Sequence, residues 1–311
     1  MRRRPAAILV FAVLVVAGCG GSDGAASTST VAPTPSSDTI GVPVAIDGCE
    51  DAPDPAAYII GQIPPVLRPC TIPAELQVQP IRTGSGPAAE AGDTLFVDYT
   101  GVRSDDGVVF DTSYTRGTPL DFPLGRGGVI DGWDQGLVGA RAGSAIKLNV
   151  PAALAYGDAP PAGDKVRAGD ALTFVVEVRA VVPSSTADDA PLDLQLDPSV
   201  GATEVTTTDL VTGDGPELQV GQTAIVRVLL VRGDNQVVLF NSWERDESLQ
   251  IKLEEGNGLA GFFEGLPGAQ VGTLREIIMP PDQAFGPQGD TGLGLPPGTD
   301  LIVIAEVLGV Y

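Results

Sequence analysis

Four side chains carry the chemistry open to this chain: Tyr99, Asp111, Trp133 and Tyr156. Each sits in a largely apolar stretch: VDYTG at 97–101, VFDTS at 109–113, VIDGWDQGL at 129–137 and AYG at 155–157. Phenol hydroxyls, a carboxylate and an indole N–H in such surroundings can hydrogen-bond a substrate inside a pocket that excludes water. They cannot pass a proton through histidine, because the sequence has none. Zinc enzymes, Ser-His-acid hydrolases and His general bases therefore find no support. The three cysteines, Cys19, Cys49 and Cys70, form no C-x-x-C pair, so thiol redox catalysis lacks its motif, and no metal or other cofactor is expected.

These four positions are singled out by laying the chain on itself. A shift of 129 residues superposes it without a gap from Ile81 to Val310, with IRTGSGP at 81–87 on LVTGDGP at 210–216 and AYG at 155–157 on AFG at 284–286. Two copies of one domain result. Under the shift Tyr99 becomes Val228, Asp111 becomes Phe240, Trp133 becomes Phe262 and Tyr156 becomes Phe285. The first copy is thus the place to seek function, and the second the place to seek a structural or binding role.

The elements that must hold these residues are mostly strands. Leu95, Val97 and Tyr99 alternate with Phe96, Asp98 and Thr100, which predicts a strand with one face buried. Similar alternation marks Ile146, Leu148 and Val150, and Leu172, Phe174, Val176 and Val178, with weaker strands near 76–82 and 109–123. Asp131 to Ala140 is predicted as a short helix: Asp131 lies in its first turn, Trp133 and Leu137 are four apart on one face, and Gly139 is near its end. One short helix against an antiparallel sheet is an α+β roll. Residues 45–75 read as an irregular collar, 76–182 as the first domain, 183–204 as a joint and 205–311 as the second domain.

The amino terminus reads as an export signal. Arg2, Arg3 and Arg4 precede an apolar run from Pro5 to Gly18, shorter than the about 20 residues that a membrane-spanning helix needs. Val16-Ala17-Gly18-Cys19 has the pattern of a bacterial lipoprotein processing site, the alternative being an ordinary signal with an incidental cysteine. The expectation is a signal peptide at 1–18, lipid on Cys19, and a Gly/Ser/Thr/Pro-rich tether at 19–44 holding the protein on the outer face of the cell membrane. Loss of 1–18 removes three of the 18 basic residues and none of the 40 acidic ones, leaving a net charge of about −25. Such a charge argues against nucleic acid as a partner. In an exported chain Cys49 and Cys70 remain as a pair and are expected to form a disulfide, which the chain-entropy estimate values at roughly 3 kcal/mol. The protein is expected to be a monomer.

The segments VDYTG, VFDTS, DFPLGRGGVIDGWDQGL (121–137), AYG and LTFVVEV (172–178) resemble, in order and spacing, the FKBP-type peptidyl-prolyl cis-trans isomerases, the macrolide-binding immunophilins. The resemblance covers about 76–182. It implies an α+β fold of two tandem FKBP-like domains, each an antiparallel β-sheet wrapped around a short α-helix. It further implies an active pocket lined by Tyr99, Phe110, Asp111, Phe122, Val129, Ile130, Trp133, Tyr156 and Phe174, with Trp133 as the floor. Unfolded or partly folded exported proteins with X-Pro bonds would be the clients, and macrolides candidate ligands. Leu120 stands where the family usually has an aromatic, and Val166-Arg167-Ala168 where it usually has Ile-Pro-Pro, which puts substrate preference and macrolide affinity in question.

The residues also fit this chemistry by themselves. Rotation about a peptide bond is opposed by about 18–20 kcal/mol because the C–N bond has double-bond character. That resonance is lost in the twisted state, so a dry pocket that holds the proline ring favours it without nucleophile or proton transfer. Plainer roles remain for each side chain: Trp133, Phe110 and Phe174 as core, Tyr99 and Tyr156 as core aromatics, Asp111 as a turn cap. For the whole chain the alternative is a non-catalytic chaperone or protein-binding lipoprotein. The second copy keeps its glycines and restores a proline pair at Pro296-Pro297, and a one-residue slip would place Phe240-Asn241 on Phe110-Asp111.

Overall fold

The computed structural model describes residues 48–59, 61–163 and 165–311. The signal peptide, Cys19 and the tether lie outside the described residues, as do the first three positions of the collar. The first repeat forms β1 (Gln77–Arg82), β2 (Thr94–Arg103), β3 (Val109–Thr112), β4 (Leu120–Pro123), α1 (Asp131–Gly136), β5 (Ala145–Val150) and β6 (Leu172–Val182). Its antiparallel sheet has the order β1-β5-β6-β2-β3, and β4 also pairs with β2. The second repeat forms β7 (Thr206–Val211), β8 (Thr223–Arg232), β9 (Val238–Asn241), β10 (Leu249–Lys252), α2 (Ala260–Gly265), β11 (Leu274–Met279) and β12 (Leu301–Val310). Its sheet repeats that order, and each element begins 129 residues after its counterpart. The fold is two tandem α+β domains, each an antiparallel sheet with one short helix.

Two local expectations are corrected. The single weak strand near 109–123 is two strands, β3 and β4, parted by the turns of 113–119. The helix stops at Gly136 rather than running to Ala140. Its last turn closes through the Leu137 N–H on the Trp133 carbonyl, after which Ala89 takes over the backbone: the Gly139 N–H donates to its carbonyl and its N–H donates to the Ala140 carbonyl.

The inner face of each sheet buries the main core of its domain. In the first, Leu95, Val97, Tyr99, Leu148, Val176 and Trp133 pack together. The outer face of β2, expected to meet solvent, is also buried: Phe96, Asp98 and Thr100 are each under one-tenth exposed. Two things cover it. Residues 48–75, closed by a Cys49–Cys70 disulfide with Cα atoms 4.9 Å apart, lay Tyr58 and Val66 over Val102, Ala145 and Val175. Beneath them Lys147, fully buried, reaches the Glu50 carboxylate at 2.9 Å. Beside them Glu177 accepts hydrogen bonds from Tyr114 and the Gly61 N–H, and Asp98 pairs with Arg179 at 2.7 Å.

The second cover is the other domain. Phe96, Ala180 and Val182 pack against Ile225, Leu308 and Tyr311, and a Cβ built on Gly309 would fall 2.5 Å from that of Ala180. Phe96 and Ile225, Ala180 and Gly309, and Val182 and Tyr311 are equivalent positions of the two repeats. The domains therefore meet through the same patch, as subunits do across a two-fold axis. The expected joint at 183–204 is also packed, with Ala190, Leu194 and Leu196 against Leu229, Val231, Trp243, Ile302 and Ile304 on the outer face of the second sheet. No helix among the described residues is long and apolar enough to cross a membrane.

Candidate active site

Strand β2 carries Tyr99 inward, β3 carries Phe110 and Asp111, β6 carries Phe174, and α1 sets Trp133 beneath them. The Trp133 ring meets Tyr99 edge-on at 5.0 Å between centroids and Phe174 edge-on at 5.2 Å, and Phe110 meets Phe174 at 5.5 Å. Such edge-to-face packing suits the ring quadrupoles and fixes the box. Gly101 is what makes room for it. A Cβ there would fall 2.7 Å from the Phe110 ring and 2.8 Å from that of Phe174. Val129, Ile130 and Tyr156 are half-buried against the same core. Phe122 lies 5.7 Å from the Trp133 ring and faces Leu95 in the β2–β4 register. The Trp133 indole N–H is buried without a partner among the described residues.

A polar ring sits at the mouth. The Tyr99 hydroxyl donates to Asp111 Oδ2. Asp111 Oδ1 accepts from Arg116 Nη1 at 2.9 Å and from the Thr112 N–H at 2.8 Å, and Arg116 Nη2 donates to the Tyr99 oxygen at 2.9 Å. Burial, and then the bond to Asp111, push the Tyr99 hydroxyl up to about 12. Burial alone would raise the Asp111 carboxyl, but its hydrogen bonds from Tyr99 and Arg116, the guanidinium charge and the Thr112 N–H reverse this and hold it below the usual carboxylate range. Burial, followed by the nearby Asp111 charge, raises the Tyr156 hydroxyl. Asp111 is thus anionic and both phenols are protonated at neutral pH. A cleft of about 390 Å³ opens here, lined by Phe110, Asp111, Tyr156, Pro161, Lys165 and Val166. A larger one, about 610 Å³, lies outside this site, between Gly117-Thr118 and the second domain.

Sequence reasoning missed Arg116, Gly101 and Lys165. Arg116 was within reach, since the 129-residue shift maps it onto Arg245 unchanged. Gly101 maps onto Leu230, which corrects the expectation that the second copy keeps its glycines: Gly107, Gly117, Gly125 and Gly128 are also replaced, by Gln236, Asp246, Glu254 and Asn257.

In the second domain Phe240 pairs with Leu230 just as Asp111 pairs with Gly101, so no slip intervenes and Phe240 holds the position of the carboxylate. Leu230 occupies the space that Gly101 leaves open, and the rings of Phe110 and Phe174 are replaced by Leu239 and Val303. Arg245 lies over the Phe240 ring at 4.9 Å with no carboxylate at that position.

Residues 86–179, and again 215–308, match the sequence pattern of the FKBP-type peptidyl-prolyl cis-trans isomerases. The chain belongs to this family. As a family member it is 49% identical over 109 residues to the FK506-binding protein of Streptomyces anulatus, a match covering 35% of this chain and 88% of that protein. It is 48% identical over 103 residues to peptidyl-prolyl cis-trans isomerase FKBP15-1 of Arabidopsis thaliana, covering 32% of this chain and 65% of that one. With FkpA of Escherichia coli strain K12, an FKBP-type peptidyl-prolyl cis-trans isomerase, identity is 43% over 116 residues, 37% of this chain and 41% of the relative. The matched FKBP region thus spans less than two thirds of the latter two proteins.

Proposed function

We propose that the first domain isomerises X-Pro bonds of exported proteins and that the second has lost this activity. The observation that carries the reading is the polar ring of Tyr99, Asp111 and Arg116 at the edge of an aromatic box floored by Trp133. The proline ring of a client would rest on Trp133, between Tyr99 and Phe174. Removed from water, the carbonyl of the preceding residue loses less by twisting out of conjugation. The Tyr156 hydroxyl makes no hydrogen bond among the described residues and is free to donate to that carbonyl as its oxygen gains ketone character. Asp111, held anionic by its hydrogen bonds from Tyr99 and Arg116, fixes the Tyr99 ring that walls the pocket. Val129 and Ile130 complete the apolar lining, and Phe122 supports Trp133. No proton changes hands, in keeping with the absence of His. Macrolides with a proline-like ring would compete for the same floor.

Isomerisation of a short X-Pro peptide by the full chain, followed without a coupling protease, tests this. Asp111→Ala and Tyr156→Phe are expected to lower kcat/KM about tenfold while the far-ultraviolet circular dichroism stays that of the wild type. Unchanged rates in both would reduce the polar groups to structure. Lipid attachment at Cys19 and an extracytoplasmic membrane location complete the proposal. Cys19→Ala is expected to leave the protein unlipidated and released from the membrane; retention after a high-salt wash would require another anchor.

A further inference from the structure

The cleft of about 610 Å³ between the domains is lined by Gly117 and Thr118 of the first and by Gln222, Gln250, Asn257 and Tyr311, among others, of the second. Because the domains meet through equivalent patches, this cleft has a counterpart on the other side of the interface. There Asp93 replaces Gln222, Asp246 replaces Gly117 and Asp121 replaces Gln250. The counterpart is filled by the chain itself. Residues 183–185, without regular secondary structure, cross it: the Ser184 N–H donates to Asp93 at 3.1 Å and the Ser185 N–H to Asp246 at 2.7 Å. Arg227 donates to the Pro183 carbonyl. One domain supplies Asp93 and the other Asp246 and Arg227, so a single extended strand is held by its backbone across the junction.

We propose that the 610 Å³ cleft seats an extended segment of client polypeptide in the same way. Of the three groups that hold the counterpart strand only Asp93 has a polar equivalent in this cleft, Gln222. Asp246 corresponds to Gly117, and Arg227 to Asp98, which pairs with Arg179 at 2.7 Å, so recognition here falls to side-chain amides. Asp93 caps the Glu90 N–H with one oxygen at 2.9 Å and turns the other to Ser184. Gln222 caps the Gln219 N–H with its oxygen at 2.8 Å, which leaves its amide N–H groups to meet a strand carbonyl. Gln250 likewise receives the Tyr311 hydroxyl on its oxygen at 2.6 Å. Among the described residues the side-chain amide nitrogens of Gln222, Gln250 and Asn257 make no hydrogen bond. Lys252, paired with Glu254 at 3.3 Å, also lines the cleft, and the neutral amides beside it read a peptide backbone rather than its sequence. The occupant is a client rather than an unrelated ligand because the cleft adjoins the active site: Thr118 is two residues, at most about 7 Å of chain, from Arg116. That last step rests on the isomerase reading; the seat for an extended strand does not.

The test titrates a fluorescent, proline-free extended peptide of about ten residues against the full chain. Saturable binding is expected, weakened at least fivefold in Gln222→Ala, which removes the amide, and in Asn257→Trp, which fills the cleft from an exposed position. Absence of saturable binding to the wild type, or binding by both variants as tight as the wild type's, would overturn the proposal. Isomerisation of a short X-Pro peptide by the wild type is measured separately. A failure there counts against the active site alone, because the proline-free peptide reads only the cleft.

Discussion

Ala180 and Gly309 occupy the same position in the two repeats, and they touch. Only residues on a two-fold axis contact their own equivalents, so this pair marks the axis that relates the domains. The second domain, with its pocket filled by Leu230 and its carboxylate replaced by Phe240, still covers Phe96, Ala180 and Val182 of the first. Support of the first sheet is a role it retains whatever its own pocket does.

Gly309→Val should therefore act as overpacking at a domain interface. A side chain there meets Ala180 Cβ at 2.5 Å and Ile225 Cδ1 at 3.3 Å, which costs about 1–3 kcal/mol. Urea unfolding is expected to begin at lower concentration and to lose cooperativity between the domains. An unchanged midpoint and slope would show that the interface contributes no stability.

The collar makes a second expectation. Lys147 is fully buried and its carboxylate partner is Glu50. Removing one member of such a pair strands the other, at about 3 kcal/mol or more when the stranded charge is fully buried. Glu50→Gln strands the fully buried Lys147, whereas Lys147→Met strands only Glu50, whose side chain is 15% exposed and can turn to water. Glu50→Gln should thus destabilise more than Lys147→Met in urea denaturation. The reverse order would mean that Lys147 finds water when the collar loosens.

Why these features were hidden in the sequence is a matter of which face a residue was credited with meeting. The repeat, the main strands and the string around Trp133 follow from spacing within one domain. Asp98 and Thr100 look like the solvent side of a strand because nothing local shows that Arg179 and a collar lie over them. Phe96 and Ile225 gain their meaning only once the two repeats dock. Arg116 lies in a turn whose composition resembles any exposed loop, and only the return of an arginine at 245 hints at it. Phe122, by contrast, is named for the pocket lining by the family resemblance alone, and the β2–β4 register places it opposite Leu95.

The pH profile should be flat across the physiological range. Asp111 stays ionised because its folded value lies below the ordinary 3.8, and Tyr99 stays protonated until about 12. By linkage, the stability from Asp111 is present above its unfolded value and lost as pH falls through the lower folded one. That from Tyr99 is present below its unfolded value near 10 and lost as pH rises through about 12. Peptide isomerisation is thus expected to vary little between about pH 5 and 9. A bell-shaped profile centred near neutrality would indicate a proton transfer that no residue in this site is placed to make.

The central claim is that the first pocket is an isomerase site and that the second was silenced by its lining. The most direct measurement gives the first pocket the second one's residues at its two phenols and its carboxylate: Tyr99→Val, Asp111→Phe and Tyr156→Phe in one full-length chain, assayed on a short X-Pro peptide. The wild type is expected to accelerate isomerisation well above the spontaneous rate, and the triple variant to fall at least tenfold while remaining folded. A wild type that turns over no faster than buffer, or a folded triple variant as active as the wild type, would contradict the account.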